Sequence, residues 1–205
     1  MYLTGGTGMY LYLIKTWLNK HHPTRSRWIG CLCALFYLLN VITLQQFYIS
    51  FEMFTVQFAF LPFLLLSIHA LNIRSNTKNI LLFILVQLLI APSAHTPTLF
   101  YLGAAFSLVY SFFLNIQLGK NGFFHALRMM MMVGVLTFIA NSYWVLPNLY
   151  YLFHDSKYVT QSVANQLFSM ESIWSIRQAG DLKIFLTGMH YLFSWKVFNF
   201  ETLQH

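Results

Sequence analysis

The chain has 205 residues, of which 58% are hydrophobic, 19% aromatic and 8% charged. Soluble domains carry about 25% charged residues, and 21 Phe with 12 Tyr exceed what a soluble surface absorbs, so the composition is that of an integral membrane protein. The net charge of +7 is distributed in a way that argues against a nucleic-acid partner. Lys15, Lys20, Arg25 and Arg27 share one connection between apolar runs, Arg74 and Lys78 a second, and Lys120 and Arg128 flank a third. These connections hold eight basic residues and no acidic one, whereas Glu52, Asp155, Glu171, Asp181 and Glu201 fall elsewhere. Short Lys/Arg-rich loops stay in the cytoplasm, so the charge reads as a topology signal and a contact for anionic headgroups.

Residues 1–14 are apolar but too short to cross a bilayer, and Lys15 follows at once. They lack the basic start and small-residue cleavage site of a signal peptide. This reads as the inner half of a first span that begins upstream, which makes the chain an internal fragment of a larger protein. Gly5, Gly6 and Gly8 then serve close helix packing. Residues 16–27, with His21 and His22, form a polar cytoplasmic loop. Trp28 to Tyr48 is a span running outward, and Glu52 sits in the outer turn at 49–53. Cys31 and Cys33 inside this span read as small packing residues, because no further Cys or clustered His completes a metal site.

Phe54 to Ile73 returns inward, interrupted by Pro62, with His69 close to the inner end. Residues 74–78 form the second cytoplasmic connection. Asn79 to about His95 goes out again, near the lower limit of about 17 residues for a span. Gln87 near its middle predicts an interhelical hydrogen bond. Ala91 to Thr98 is an outer turn in which Pro92 and Pro97 break helix on both sides of His95. Leu99 to Leu118 returns inward, with Gly103, Ala104 and Ala105 as a small-residue packing face, and Gly119 to Arg128 is the last inner connection.

Met129 to Phe153 is 25 residues without a charged side chain, and a helix needs roughly 20 residues to cross about 30 Å of hydrocarbon. The run Met129–Met132 points all round a helix and reads as packing rather than a soft-metal site. Asn141, Trp144, Pro147 and Asn148 collect at the outer end with Tyr143, Tyr150 and Tyr151, and amphipathic aromatics favour the membrane boundary. Pro147 also removes a helical hydrogen bond there. Residues 154–205 follow on the outer side. In them Val163, Leu167, Met170 and Trp174 mark one face of a surface helix over 160–178, and Ile184 to Trp195 is too short to cross. The expected fold is therefore all-α: a polytopic bundle over 1–153 with about five full spans plus a truncated first one, and an external segment over 154–205 containing interfacial helices.

No phosphate-binding glycine loop, dinucleotide fingerprint or H-E-x-x-H is present. The remaining candidates are an outer-face set, Glu52, His95, Asn141, Trp144 and Asp155. Carboxylates accept hydrogen bonds from sugar hydroxyls and Trp or Tyr stacks on apolar sugar faces, so the set fits a sugar site. It equally fits ordinary interface anchors.

Five segments in order carry a family resemblance: Gly8-Met9-Tyr10-Leu11-Tyr12-Leu13 before a basic loop, Ala34-Leu35-Phe36-Tyr37, Glu52 ahead of an apolar run ending Leu61-Pro62, Ala94-His95-Thr96-Pro97, and Asn141-Ser142-Tyr143-Trp144-Val145-Leu146-Pro147. Over most of residues 5–153 the chain resembles the middle of multi-spanning GT-C-fold membrane glycosyltransferases, closest to the YfhO-like and arabinofuranosyltransferase-like membrane proteins. The resemblance implies transfer of a sugar from a polyprenyl-phosphate donor to a glycan or lipid acceptor on the outer face of a prokaryotic cytoplasmic membrane. It also implies a catalytic carboxylate in the first outer loop acting as base, with a divalent metal ion nearby. That loop would precede residue 1, so no catalytic or metal-binding residue is carried onto this sequence, Glu52 included, and no other cofactor is evident. The expected partners are the bilayer, the donor, the acceptor and the upstream helices of the longer chain, without which this segment is expected to be inactive. A transporter or flippase component is the competing class, although neither an internal repeat nor a midplane charge is present.

Overall fold

The computed structural model describes residues 2–18, 23–40, 52–117, 122–155, 157 and 161. They are helical, with no strand among them. In chain order the helices are α1 (Tyr2–Thr16), α2 (Pro23–Leu39), α3 (Glu52–Ile73), α4 (Thr77–Ile90), a 3-10 turn (Ala91–His95), α5 (Pro97–Gln117) and α6 (Gly122–His154). Four segments are long and apolar enough to cross a membrane: Phe54–Ile73, Thr77–His95, Pro97–Ile116 and Gly122–His154. The expected span Trp28 to Tyr48 is described only to Asn40. The surface helix over 160–178 and the Ile184 to Trp195 segment lie outside the described residues. The chain forms two compact units, Met1–Tyr143 and Trp144–His205.

All three basic connections are shorter than the sequence predicts, the second because Thr77 and Lys78 already belong to α4. α2 starts at Pro23 rather than Trp28, so Arg25 and Arg27 are helical. Proline suits a first helical position, where its missing N–H would be unpaired anyway. α6 starts at Gly122, so Arg128 lies inside it rather than in a loop. Long cationic side chains are good helix formers and reach polar headgroups from inside a helix end. Gly122 has φ 79, with open space around its absent Cβ, so this glycine answers a backbone need rather than a steric one.

In the first unit α3 is the central helix, packing against α1, α4, α5 and the 3-10 turn. Its partners meet it through small residues. A Cβ on Gly5 would come within 2.9 Å of the Phe58 ring, and one on Gly8 within 2.6 Å of Phe63. Gly6 faces the other way, where a Cβ would meet Leu38 at 2.8 Å. The three glycines thus let α1 lie against both α2 and α3. Gly103 of α5 does the same for Gln57, which a Cβ would meet at 2.6 Å. The expected small-residue face is narrower than predicted, because Ala105 is exposed and three consecutive helical residues cannot share one face. The core of Leu64, Ile68, Leu71, Phe83, Val86, Ile90 and Val133 joins α3, α4 and α6.

The turn between α3 and α4 is closed by its own side chains. The Asn79 amide donates to the carbonyls of Ala70 at 3.0 Å and Arg74 at 2.8 Å, Ser75 donates to Leu71 at 3.1 Å, and Asn76 Oδ1 accepts from the Asn79 N–H at 2.9 Å. Carbonyls at the end of α3 and an amide at the start of α4 thereby find partners without water, as a membrane helix hairpin requires.

Pro62 sits inside α3 with no N–H to offer the Phe58 carbonyl. The Tyr37 hydroxyl donates to that carbonyl instead, at 2.7 Å, and the Tyr37 ring stacks on Phe58 at 4.2 Å and 9°. One side chain of α2 therefore repairs the break in α3.

Contacts also fix which ends lie together. Gly5 and Gly8 meet Phe58 and Phe63, so α1 runs parallel to α3, and Gly30 and Leu38 of α2 meet Tyr10 and Gly6 in antiparallel order. Ser75 lies 4.0 Å from Met129 Sδ, next to Arg128. Consequently the described Lys and Arg of this unit, Lys15, Arg25, Arg27, Arg74, Lys78 and Arg128, all collect at one end, and all are exposed.

Candidate functional site

The end opposite the basic one is built from the start of α3 and the 3-10 turn. Glu52, expected in the turn at 49–53, is instead the first residue of α3. Pro92 cannot donate as the next residue of α4, so the helix tightens: the Ala91 N–H bonds the carbonyls of Gln87 and Leu88. Thr96 N–H closes the turn on Ser93 at 3.2 Å, and Pro97 opens α5. His95, at the end of this turn, is exposed, whereas Ser93 is fully buried and its hydroxyl has no hydrogen-bond partner among the described residues. Gln57 and Phe100 line one cavity, and Glu52 and His95 each lie five residues before them. At 1.5 Å per residue Glu52 lies about 8 Å of axial rise from Gln57 along α3, whereas His95 precedes α5 with an extended Thr96 between them. Both stand at the end of the unit opposite the cations.

Asn141 is placed differently. It is fully buried on the face of α6 formed by Ala126, Met129, Val133 and Thr137, which recur at three to four residues. Its amide donates to the Thr137 carbonyl at 2.9 Å and to Gln87 Oε1 at 3.4 Å, and Gln87 Nε2 donates to Thr137 Oγ1 at 3.2 Å. Gln87 makes the interhelical bonds that its place in the span predicts. Trp144 and Asp155 belong to the second unit. There Trp144 and Asp155 are partly exposed, Tyr150, Tyr151 and Phe153 are exposed, and the Tyr150 ring stacks on His154 at 4.2 Å.

Below the 3-10 turn the bundle holds further polar groups. The cavity shared by Gln57, Leu64, Gln87, Ile90, Phe100, Gly103, Ala104 and Ser107 has a volume of about 10 Å³, near the minimum for a single water. Gln57 Oε1 is buried beside it without a hydrogen-bond partner among the described residues. Nearer the basic end, Ser111 donates to Asn72 Oδ1 at 3.0 Å, and the Asn115 amide donates to the same oxygen and to the Ser111 carbonyl. A third contact joins α1 to α5: the hydroxyls of Tyr12 and Tyr110 are 2.9 Å apart, and Trp17 Nε1 donates to Tyr12 at 3.3 Å. The signal for the α5 set was present in the sequence, since Ser107, Ser111 and Asn115 recur every four residues on one face.

His69 is half-buried, with its Nδ1 unpartnered among the described residues. Cys31 is exposed and Cys33 partly so, both free. Met129 is buried and Met131 exposed, as a run pointing round a helix requires. Among the described residues no three His, Cys, Asp or Glu side chains lie together as a metal would need, so no ligand set for the divalent ion of the resemblance is assigned. Comparison with protein-family models, curated proteins and solved structures finds no match to this chain.

Proposed function

We propose that the chain is part of an integral membrane glycosyltransferase of the GT-C type. It would transfer a sugar from a polyprenyl-phosphate donor to a glycan or lipid acceptor on the outer face of a prokaryotic cytoplasmic membrane. The observation that carries the reading is the sidedness of the first unit. Its described cations collect at one end, and Glu52 with the exposed His95 turn lies at the other. By the positive-inside rule the basic end is cytoplasmic and the Glu52 end external, which is where a lipid-linked sugar is consumed. Glu52 and His95 are assigned to binding sugar hydroxyls, and Trp144 and Asp155 stay sequence candidates of the second unit. Asn141, with its amide engaged by Gln87 and Thr137, is assigned to holding α6 against α4. The base that deprotonates the acceptor is not assigned to this chain.

The second reading is a transporter or flippase component. It is favoured by buried uncharged polar groups at successive depths: Asn72 with Ser111 and Asn115, then Gln87 with Thr137 and Asn141, then Gln57. One experiment separates the two. The full-length protein is reconstituted in liposomes with labelled polyprenyl-phosphate sugars, and both sugar transfer and donor translocation are followed. The proposal expects transfer, reduced by alanine at Glu52, His95 or Trp144 with expression held equal. Translocation without transfer selects the second reading, and full transfer by all three variants removes these residues from the site.

A further inference from the structure

α6 carries an exposed stripe on the side away from the core. Phe124, Arg128, Met131, Val135 and Phe138 recur at four, three, four and three residues, the spacing of one helical face. All five are exposed, from 83% at Phe124 to 47% at Phe138. The apolar part of the stripe is not a flat surface. Between α5 and α6 lies an open groove of about 250 Å³, lined by Leu108, Met130, Met131, Gly134, Val135 and Phe138. Gly134 forms its floor, where a Cβ would press on Leu108 at 3.3 Å. From Met130 to Phe138 the groove follows α6 for about 12 Å at 1.5 Å per residue. Its polar end is defined as well. Arg128 is the next residue of the stripe below Met131, at the end of the bundle where Arg74, Lys78, Arg25 and Arg27 also lie.

We infer that this groove is a binding site for an anionic phospholipid of the leaflet at the basic end. One acyl chain lies along Met131, Val135 and Phe138 against Gly134, and the headgroup phosphate is held by the Arg128 guanidinium. Three observations select this occupant. The lining is apolar throughout and belongs to helices long enough to cross a membrane, so hydrocarbon is the medium that meets it. The groove ends at a cation whose planar fork pairs with phosphate through two parallel hydrogen bonds. Around that cation the other described charges are also positive, and basic pockets between spanning helices favour anionic headgroups.

The test uses the full-length protein purified in detergent, offered phosphatidylglycerol and phosphatidylcholine of identical acyl chains, with retained lipid counted by native mass spectrometry. Wild type retains phosphatidylglycerol at least fivefold more than phosphatidylcholine. Arg128→Gln brings retention down to the phosphatidylcholine level, and Arg128→Lys, which keeps the charge but not the planar fork, falls between the two. Val135→Trp, which fills the groove, lowers retention of both lipids. Arg128 and Val135 are exposed, and an unchanged melting temperature shows that the variants are folded. Equal retention of the two lipids by wild type, full phosphatidylglycerol retention by Arg128→Gln, or displacement of phosphatidylglycerol by equimolar polyprenyl phosphate would each overturn the assignment.

Discussion

Tyr37→Phe removes one oxygen atom and leaves the ring in place, so the stack on Phe58 survives and the hydrogen bond to the Phe58 carbonyl is lost. That carbonyl has no backbone donor, because the residue four positions on is Pro62, itself fully buried. Interhelical hydrogen bonds in bilayers contribute about 0.6 kcal/mol on average and up to about 1.7 kcal/mol. A buried carbonyl without an alternative donor belongs at the upper end of that range. The expected cost is about 1 kcal/mol, or about a fivefold shift in the unfolding equilibrium. The decisive comparison is the same change in a Pro62→Ala background. That substitution restores the missing backbone N–H, the Phe58 carbonyl is then satisfied within α3, and Tyr37→Phe should cost close to nothing. Unfolding of the four proteins in mixed micelles, followed by loss of helicity, gives a coupling energy of about 1 kcal/mol. Equal losses in both backgrounds, or no loss in either, would refute the repair of α3 by α2.

Three further changes test the packing. Gln87→Leu removes its bonds to Thr137 and Asn141 and should lower stability by about 1 kcal/mol; an unaltered melting curve in lipid would mean that the two bonds carry no net stability. Gly8→Leu forces bulk against Phe63, with an expected cost of about 1–3 kcal/mol and loss of disulfide cross-linking between cysteines introduced on α1 and α3; retention of both would contradict the close approach. Asn79→Ala removes its bonds to the Ala70 and Arg74 carbonyls, each of which keeps a backbone donor, and should cost about 0.5–1 kcal/mol, seen as faster amide exchange at the start of α4; unchanged protection there would assign the turn's stability to its backbone alone.

The turns at Arg74–Asn76 and Ala91–Thr96 were legible because charge and proline punctuate the apolar runs there, and each signal acts locally. The same signals overshoot at Arg25, Arg27, Lys78 and Arg128, where a cation marks a loop in sequence but a helix end near headgroups accommodates it. Gln87 was legible as an interhelical donor because an amide in mid-span has few alternatives. Asn141 was not, since its position at a polar helix end is compatible with either an exposed or a buried face; the repeat of Ala126, Met129, Val133 and Thr137 decides it, and that repeat gains meaning only once α4 is its neighbour. Tyr37 was invisible as a partner for Pro62 for a similar reason. A freed carbonyl can be read from a proline, but the donor that reaches it comes from another helix. The buried set on α5 is the reverse case, a local four-residue repeat of Ser107, Ser111 and Asn115 that the sequence itself carries.

The sidedness of the bundle underlies both the proposed site and the lipid groove, and residue accessibility in intact cells tests it most directly. With Cys31 and Cys33 replaced by serine, a single cysteine is introduced at Arg25, Ser75 or His95 and exposed to a membrane-impermeant maleimide. Position 95 should be labelled in intact cells, and positions 25 and 75 only after permeabilisation. Labelling at 25 or 75 from outside, with 95 protected, would contradict this sidedness.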